Sequence, residues 1–179
     1  MSINFIVGLI GGAVLVLGSA WPDAKARLPV KSVKNWLFAL GALFMLTYSS
    51  LNYMDGGPIF FIFLQCLAVL ASVMMFLNTD DMLDAIVIGL AGFGLVGWSL
   101  FLFEDYSTLL IVAGIIGIAF GYVLKAGTAK RNLALLIGSI LIALFSWVVV
   151  DWIFFWLNVF FALFSAWYAV KAARSLGKF

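Results

Sequence analysis

Ile6-Val7-Gly8-Leu9-Ile10-Gly11-Gly12-Ala13 returns in the second half of the chain as Val112-Ala113-Gly114-Ile115-Ile116-Gly117-Ile118-Ala119. Both copies lie in apolar runs long enough to cross a bilayer. Working outward, residues 35–49 match residues 132–146 and pair Gly41 with Gly138. A third match pairs Leu64-Gln65 with Leu157-Asn158, Leu70 with Leu163, and Ser72 with Ser165. The matches keep their order, and one unmatched apolar segment separates the two sets. This pattern predicts an all-α membrane protein of seven transmembrane helices, built as two parallel three-helix repeats joined by a linker helix (3+1+3). The first repeat spans 1–79, the linker helix 80–105 and the second repeat 106–179.

Composition points to lipid as the solvent. The 179 residues are 66% hydrophobic and 10% charged, and mean hydropathy is +1.21. A soluble domain of this size has too little interior to hide so much apolar surface. Histidine is absent and Cys66 is the single cysteine. That removes Ser/His/Asp catalysis, His-ligated haem, almost every His-containing metal site and any intramolecular disulfide. No catalytic residue, metal ligand or cofactor is expected. The formal charge of +2 gives no electrostatic basis for nucleic-acid binding.

Unbroken apolar runs without period-two alternation favour helices over a barrel. The expected helices are about 3–20, 36–52, 59–77, 82–103, 108–124, 133–150 and 152–170. Gly18-Ser19-Ala20 resembles a signal-peptide cleavage site. The first helix is nevertheless read as structure, because no Lys or Arg precedes it and its glycine pattern recurs. Asp55-Gly56-Gly57-Pro58 reads as a tight turn, and Asp151 alone separates the last two helices. Lys25, Arg27, Lys31 and Lys34 follow the first helix. Lys125, Lys130 and Arg131 follow the fifth, and Lys171, Arg174 and Lys178 end the chain. Seven alternating helices put all ten on one side, which the positive-inside rule makes cytoplasmic. The N-terminus is then outside, the C-terminus cytoplasmic, and Asp55, Glu104, Asp105 and Asp151 are outside, in a multi-pass protein of the plasma (inner) membrane.

Two amides stand inside apolar helices, Gln65 and Asn158. Each needs a partner, a cavity or water, because an unpaired amide in hydrocarbon is costly. Interhelical hydrogen bonding is one outcome and contact with a polar solute the other. Ser72 and Ser165, like Ser49 and Ser146, either bond their own backbone or touch a solute. Trp98 and Trp167 are candidates to line a cavity, where an aromatic face stacks on a ring. Trp147, Trp152 and Trp156 read as an interfacial belt around Asp151. Gly8/Gly12 and Gly117/Gly121 read as close-packing pairs, and Gly89, Gly92, Gly94 and Gly97 as tight docking of the linker helix. Asp80, Asp81 and Asp84 suit the start of the fourth helix. No Asp, Glu, Lys or Arg lies near the middle of a helix, which argues for passive transport or none.

The 3+1+3 plan with parallel repeats resembles the SWEET sugar facilitators and their relatives, the PQ-loop and PnuC vitamin-transporter group. In such proteins an asparagine on the third helix of each bundle faces the substrate cavity. The resemblance therefore implies that Gln65 and Asn158 face a central cavity. No PQ dipeptide occurs here, and Pro22, Pro29 and Pro58 all lie in loops or at helix ends. The implied function is facilitated passage of a small neutral polar solute, sugar- or vitamin-like, by alternating access between the bundles. The rival reading is a non-transporting structural or assembly subunit of a larger membrane complex. An intramembrane enzyme comes third, for want of a catalytic constellation. The expected partners are the lipid bilayer and a small-molecule solute, with room left for a homo-oligomer or a membrane-protein partner.

Overall fold

A computed structural model describes residues 3–21, 29–77, 79–103, 105–125 and 127–176. They form seven α-helices: α1 Ile3–Ala20, α2 Val33–Met54, α3 Phe60–Leu77, α4 Asp81–Phe101, α5 Thr108–Val123, α6 Ala129–Val148 and α7 Trp152–Leu176. A single 3-10 turn, Pro29–Lys31, precedes α2, and no strand occurs among the described residues. Six helices are long and apolar enough to cross a membrane. The seventh, α5, is as apolar but shorter. By helix length and composition the chain is a multi-pass membrane protein. Pro22, Lys25, Arg27, Glu104 and Lys178 lie outside the described residues.

Capping explains where the helices depart from their expected bounds. Ser32 opens α2 three residues early, its hydroxyl accepting the Asn35 N–H at 3.3 Å. Thr128 opens α6 four residues early, accepting the Arg131 N–H at 3.3 Å. Each cap satisfies an N–H that the helix itself leaves free. Ahead of α5, the Ser107 hydroxyl and then the Ser107 and Thr108 N–H groups hold the Asp105 carboxyl below the usual carboxylate range. Asp81 and Asp84 lie in the first turn of α4, where the helix dipole favours acidic side chains.

The helices fall into two compact units, Met1–Asp80 and Asp81–Phe179. In the first, α2 packs on both α1 and α3. In the second, α4 packs on α5, α5 on α6 and α6 on α7. The helix expected to link two repeats thus groups with the second unit. In the first unit Asn4 of α1 donates its side-chain N–H to the Asp55 carboxylate at the end of α2, as antiparallel neighbours require.

Glycine sets the spacing of the two principal pairs. A Cβ on Gly11 would lie 2.9 Å from Phe44 Cβ, and one on Gly18 would lie 3.1 Å from Leu37 Cβ. A Cβ on Gly41 would lie 2.6 Å from Leu15 Cγ. Between α5 and α6, Gly114 faces Ile142, Gly121 faces Leu135, and Gly117 and Gly138 meet backbone to backbone. These notches let helices approach closely enough for dispersion to hold them in lipid.

The same positions are buried in α2 and α6: Gly41 and Gly138, Ala42 and Ser139, Met45 and Ile142, Tyr48 and Phe145, Ser49 and Ser146. This follows the pairing read from sequence. For α1 and α5 the contacts follow a different register. Gly11 meets Met45 as Gly114 meets Ile142, Leu15 meets Gly41 as Ile118 meets Gly138, and Gly18 faces α2 as Gly121 faces α6. The packing equivalent of Gly11 is therefore Gly114, nearly one turn from the Gly117 that the sequence match pairs with it. Residues about one turn apart share a helix face, so glycines that recur at that spacing match well in either register. At Gly12 nothing lies within 4 Å of a would-be Cβ, so Gly12 is not one of the glycines that set the α1–α2 spacing. In α4, Gly92 meets Ala119 at 2.8 Å, Gly89 is 3.9 Å from Val123, and Gly94 and Gly97 meet nothing within 4 Å. Only part of the glycine run docks the helix.

The ends of α2 and α6 repeat one motif with different residues. Gly57 N–H donates to Asn52 O at 2.8 Å, and Gly56 N–H to Tyr53 O at 3.0 Å. Asp151 N–H donates to Ser146 O at 2.8 Å, and Val150 N–H to Trp147 O at 3.2 Å. Both are Schellman closures, which need a left-handed residue after the helix cap. Gly56 supplies it at φ 92° and Val150 at φ 60°. A β-branched residue is strained there. Val150→Gly is accordingly expected to stabilise the protein by about 1 kcal/mol, strain relief outweighing the added chain entropy. Thermal unfolding in lipid nanodiscs, followed by tryptophan fluorescence, checks this. A midpoint at or below that of the unaltered protein rejects it.

Asp151 completes this link. Its Oδ1 accepts the Phe154 N–H at 3.0 Å, so one residue closes α6 through its backbone and opens α7 through its carboxylate. Beside it, Trp147, Trp152 and Trp156 all contact Phe155, with ring centroids 5.3, 5.8 and 5.2 Å from it. The expected belt is thus centred on Phe155, an aromatic residue that sequence spacing does not single out.

Candidate functional site

The third match holds in the burial of α3 and α7 for every pair but Leu70 and Leu163, where Leu163 is 62% exposed. Phe61 and Phe154, Leu64 and Leu157, Gln65 and Asn158, and Ser72 and Ser165 are all buried. Within each helix these positions are spaced to share one face. Gln65 and Asn158 are each 3% exposed, and the Phe one turn before each is fully enclosed.

The two amides differ in how they are satisfied. Asn158 turns back on its own helix, its Nδ2 donating to Phe154 O at 2.9 Å. Gln65 Oε1 is buried with no hydrogen-bond partner. Asn is short, so its amide sits beside the carbonyl of the preceding turn. Gln carries one more methylene, and its carbonyl is enclosed without a donor. The residue types are legible in the sequence; this asymmetry is not, because it depends on side-chain rotamers.

The hydroxyl groups mostly serve their own helices. Ser49 donates to Met45 O at 2.7 Å, Ser146 to Ile142 O at 2.8 Å, and Ser72 to Ala68 O at 2.9 Å. Ser99, which no repeat or motif marks in the sequence, is fully enclosed and donates to Leu95 O at 2.8 Å. Ser165 is buried on the same face as Asn158. Trp98 and Trp167 are 60% and 68% exposed, so both side chains lie largely on the surface of their unit. No group of three or more Cys, Asp or Glu residues suited to a metal occurs among the described residues.

These features define an all-helical membrane protein with one buried amide on each of two corresponding helices. No protein-family model, curated protein or solved structure matches the chain.

Proposed function

We propose that the protein is a facilitator of a small, neutral, polar solute, sugar- or vitamin-like. In this reading residues 1–79 and 106–179 are parallel three-helix bundles joined through the helix of 80–105. They alternate access to the solute, and the candidate contacts are the buried amides Gln65 and Asn158, one in each bundle. The protein sits in the plasma membrane, with the N-terminus outside and the C-terminus in the cytoplasm. The observation that carries the reading is the burial of an amide at the same register of α3 and α7. An enclosed carbonyl without a donor, as at Gln65, is costly unless it serves a wet or solute-bearing site, and Asn158 holds the matching register with its N–H bonded to Phe154 O. The lack of Asp, Glu, Lys and Arg near helix centres favours passive movement.

Counterflow in proteoliposomes tests it, with labelled D-glucose, sucrose, pyridoxine and riboflavin as probes. The expected result is saturable counterflow of at least one probe, insensitive to uncouplers and lost in the double variant Gln65→Leu, Asn158→Leu. If none of the four exceeds empty liposomes, the facilitator reading fails for sugar- and vitamin-like solutes, and the non-transporting subunit takes its place.

A further inference from the structure

The interior of a membrane helix treats donors and acceptors unequally. A side-chain O–H or N–H can donate to the carbonyl one turn earlier, because a helix carbonyl has a second lone pair. Thr47, Ser49, Ser50, Ser72, Ser99, Ser146 and the Asn158 amide all do this. A side-chain carbonyl has no such recourse, since every mid-helix N–H is already bonded within the helix. Gln65 Oε1 is the only buried side-chain acceptor without a partner among the described residues.

We infer that Gln65 is the ligand-contacting amide of the pair, and that it accepts a hydrogen bond from a neutral donor, a hydroxyl or N–H, on the transported solute. Asn158, whose side-chain N–H is already bonded to Phe154 O, serves instead as the structural counterpart. The inference rests on the facilitator reading and makes its site asymmetric. The open carbonyl accepts only from a group that carries a proton, so the ligand class bears O–H or N–H groups and is polyol- or amide-like. The fully enclosed Phe61 lies one turn before Gln65 on the same helix and gives that face an apolar wall. The open acceptor then supplies the polar recognition. An unfilled acceptor costs stability in the empty protein, and a donor relieves that cost only while bound.

Gln65 is the only glutamine in the chain, so glutamine carrying 13C at its side-chain carbonyl reports this residue alone. The full-length protein in nanodiscs is titrated with glycerol and with D-glucose. The controls are glycerol trimethyl ether and permethylated glucose, which keep the acceptors and lose every O–H. The carbonyl resonance should move saturably with at least one of the two hydroxylated probes and not with the ethers. Gln65→Met should leave the thermal midpoint unchanged or raise it, while counterflow of the probe that shifts the resonance falls roughly five- to tenfold, as loss of one hydrogen bond implies.

Four results overturn the inference. The first is a resonance unmoved by either hydroxylated probe, and the second is an equal shift from the ethers. The third is a signal sensitive only to exchange of H2O for D2O, which would mean a structural water. The fourth is a lowered midpoint for Gln65→Met, which would mean interhelical glue. The facilitator reading fails separately: a saturable shift without counterflow leaves the ligand contact standing and removes transport. Counterflow with an unmoved resonance does the reverse.

Discussion

Gly138→Ala is expected to destabilise the protein by about 3 kcal/mol, the upper end of what overpacking a close contact costs. A Cβ at this position would lie 2.8 Å from Ile118 N, 3.0 Å from Gly114 O and 3.0 Å from Gly117 C. All three are backbone atoms, so no side-chain rotation makes room and α5 must move away from α6. That separation also loosens the Gly117 contact, where a Cβ would come within 2.7 Å of Gly138 Cα. Gly41→Ala, at the matching position of α2, should cost less. Two of its three close contacts are Leu15 side-chain atoms, which can turn aside, and the third is Leu15 N at 2.9 Å. Gly97→Ala should be neutral or stabilising by up to about 1 kcal/mol, because nothing lies within 4 Å and alanine is the better helix former. Thermal unfolding of the three variants in one nanodisc composition gives the order. Equal midpoints for Gly138→Ala and Gly97→Ala would refute the packing argument.

Asp151→Ala should cost about 2 kcal/mol, the high end for loss of a helix N-cap. Two features put it there. The carboxylate is only 7% exposed, so water cannot readily replace it on the Phe154 N–H. The same residue also joins the closure of α6 to the first turn of α7, so fraying at the start of α7 is passed directly to that closure. Asp151→Asn keeps an acceptor of similar reach and should retain most of the stability, which separates capping from charge. An alanine variant as stable as the unaltered protein would show that the cap contributes nothing. Val150→Gly acts on the adjacent residue with the opposite sign, so the two changes are expected to couple when combined.

Much of the fold is legible in the chain itself. Apolar run length decides that α1 to α4, α6 and α7 are membrane-spanning helices, because a bilayer accepts only long segments that satisfy their own backbone. Asp55-Gly56-Gly57-Pro58 and the isolated Asp151 mark the tight turns, since a left-handed residue or a lone polar residue between apolar runs has few other uses. The pairing of Gly41 with Gly138 and of Gln65 with Asn158 also survives in the burial pattern. The starts of α2 and α6 fall a few residues ahead of their apolar runs, because Ser32 and Thr128 cap helices whose first turns are polar. The belt around Asp151 has Phe155 at its centre, which sequence spacing does not reveal, because it does not say which ring of a cluster the others meet.

By itself, then, the sequence determined the solvent, the number and rough bounds of the helices, and which polar residues lie inside them. These depend on sums over many residues or on chemistry that no neighbour can change. Tertiary structure decided the rest. It fixed which positions of α1 and α5 correspond, since glycines recur at each turn and only the contacts with Met45, Ile142, Gly41 and Gly138 distinguish one turn from the next. It put α4 with the second unit and left Gly94 and Gly97 open, because docking depends on which face meets a neighbour. It also separated two amides that look equivalent in sequence. Asn158 reaches its own helix, whereas the Gln65 carbonyl does not find a donor, because a helix has spare acceptors along its length and spare donors only at its first turn.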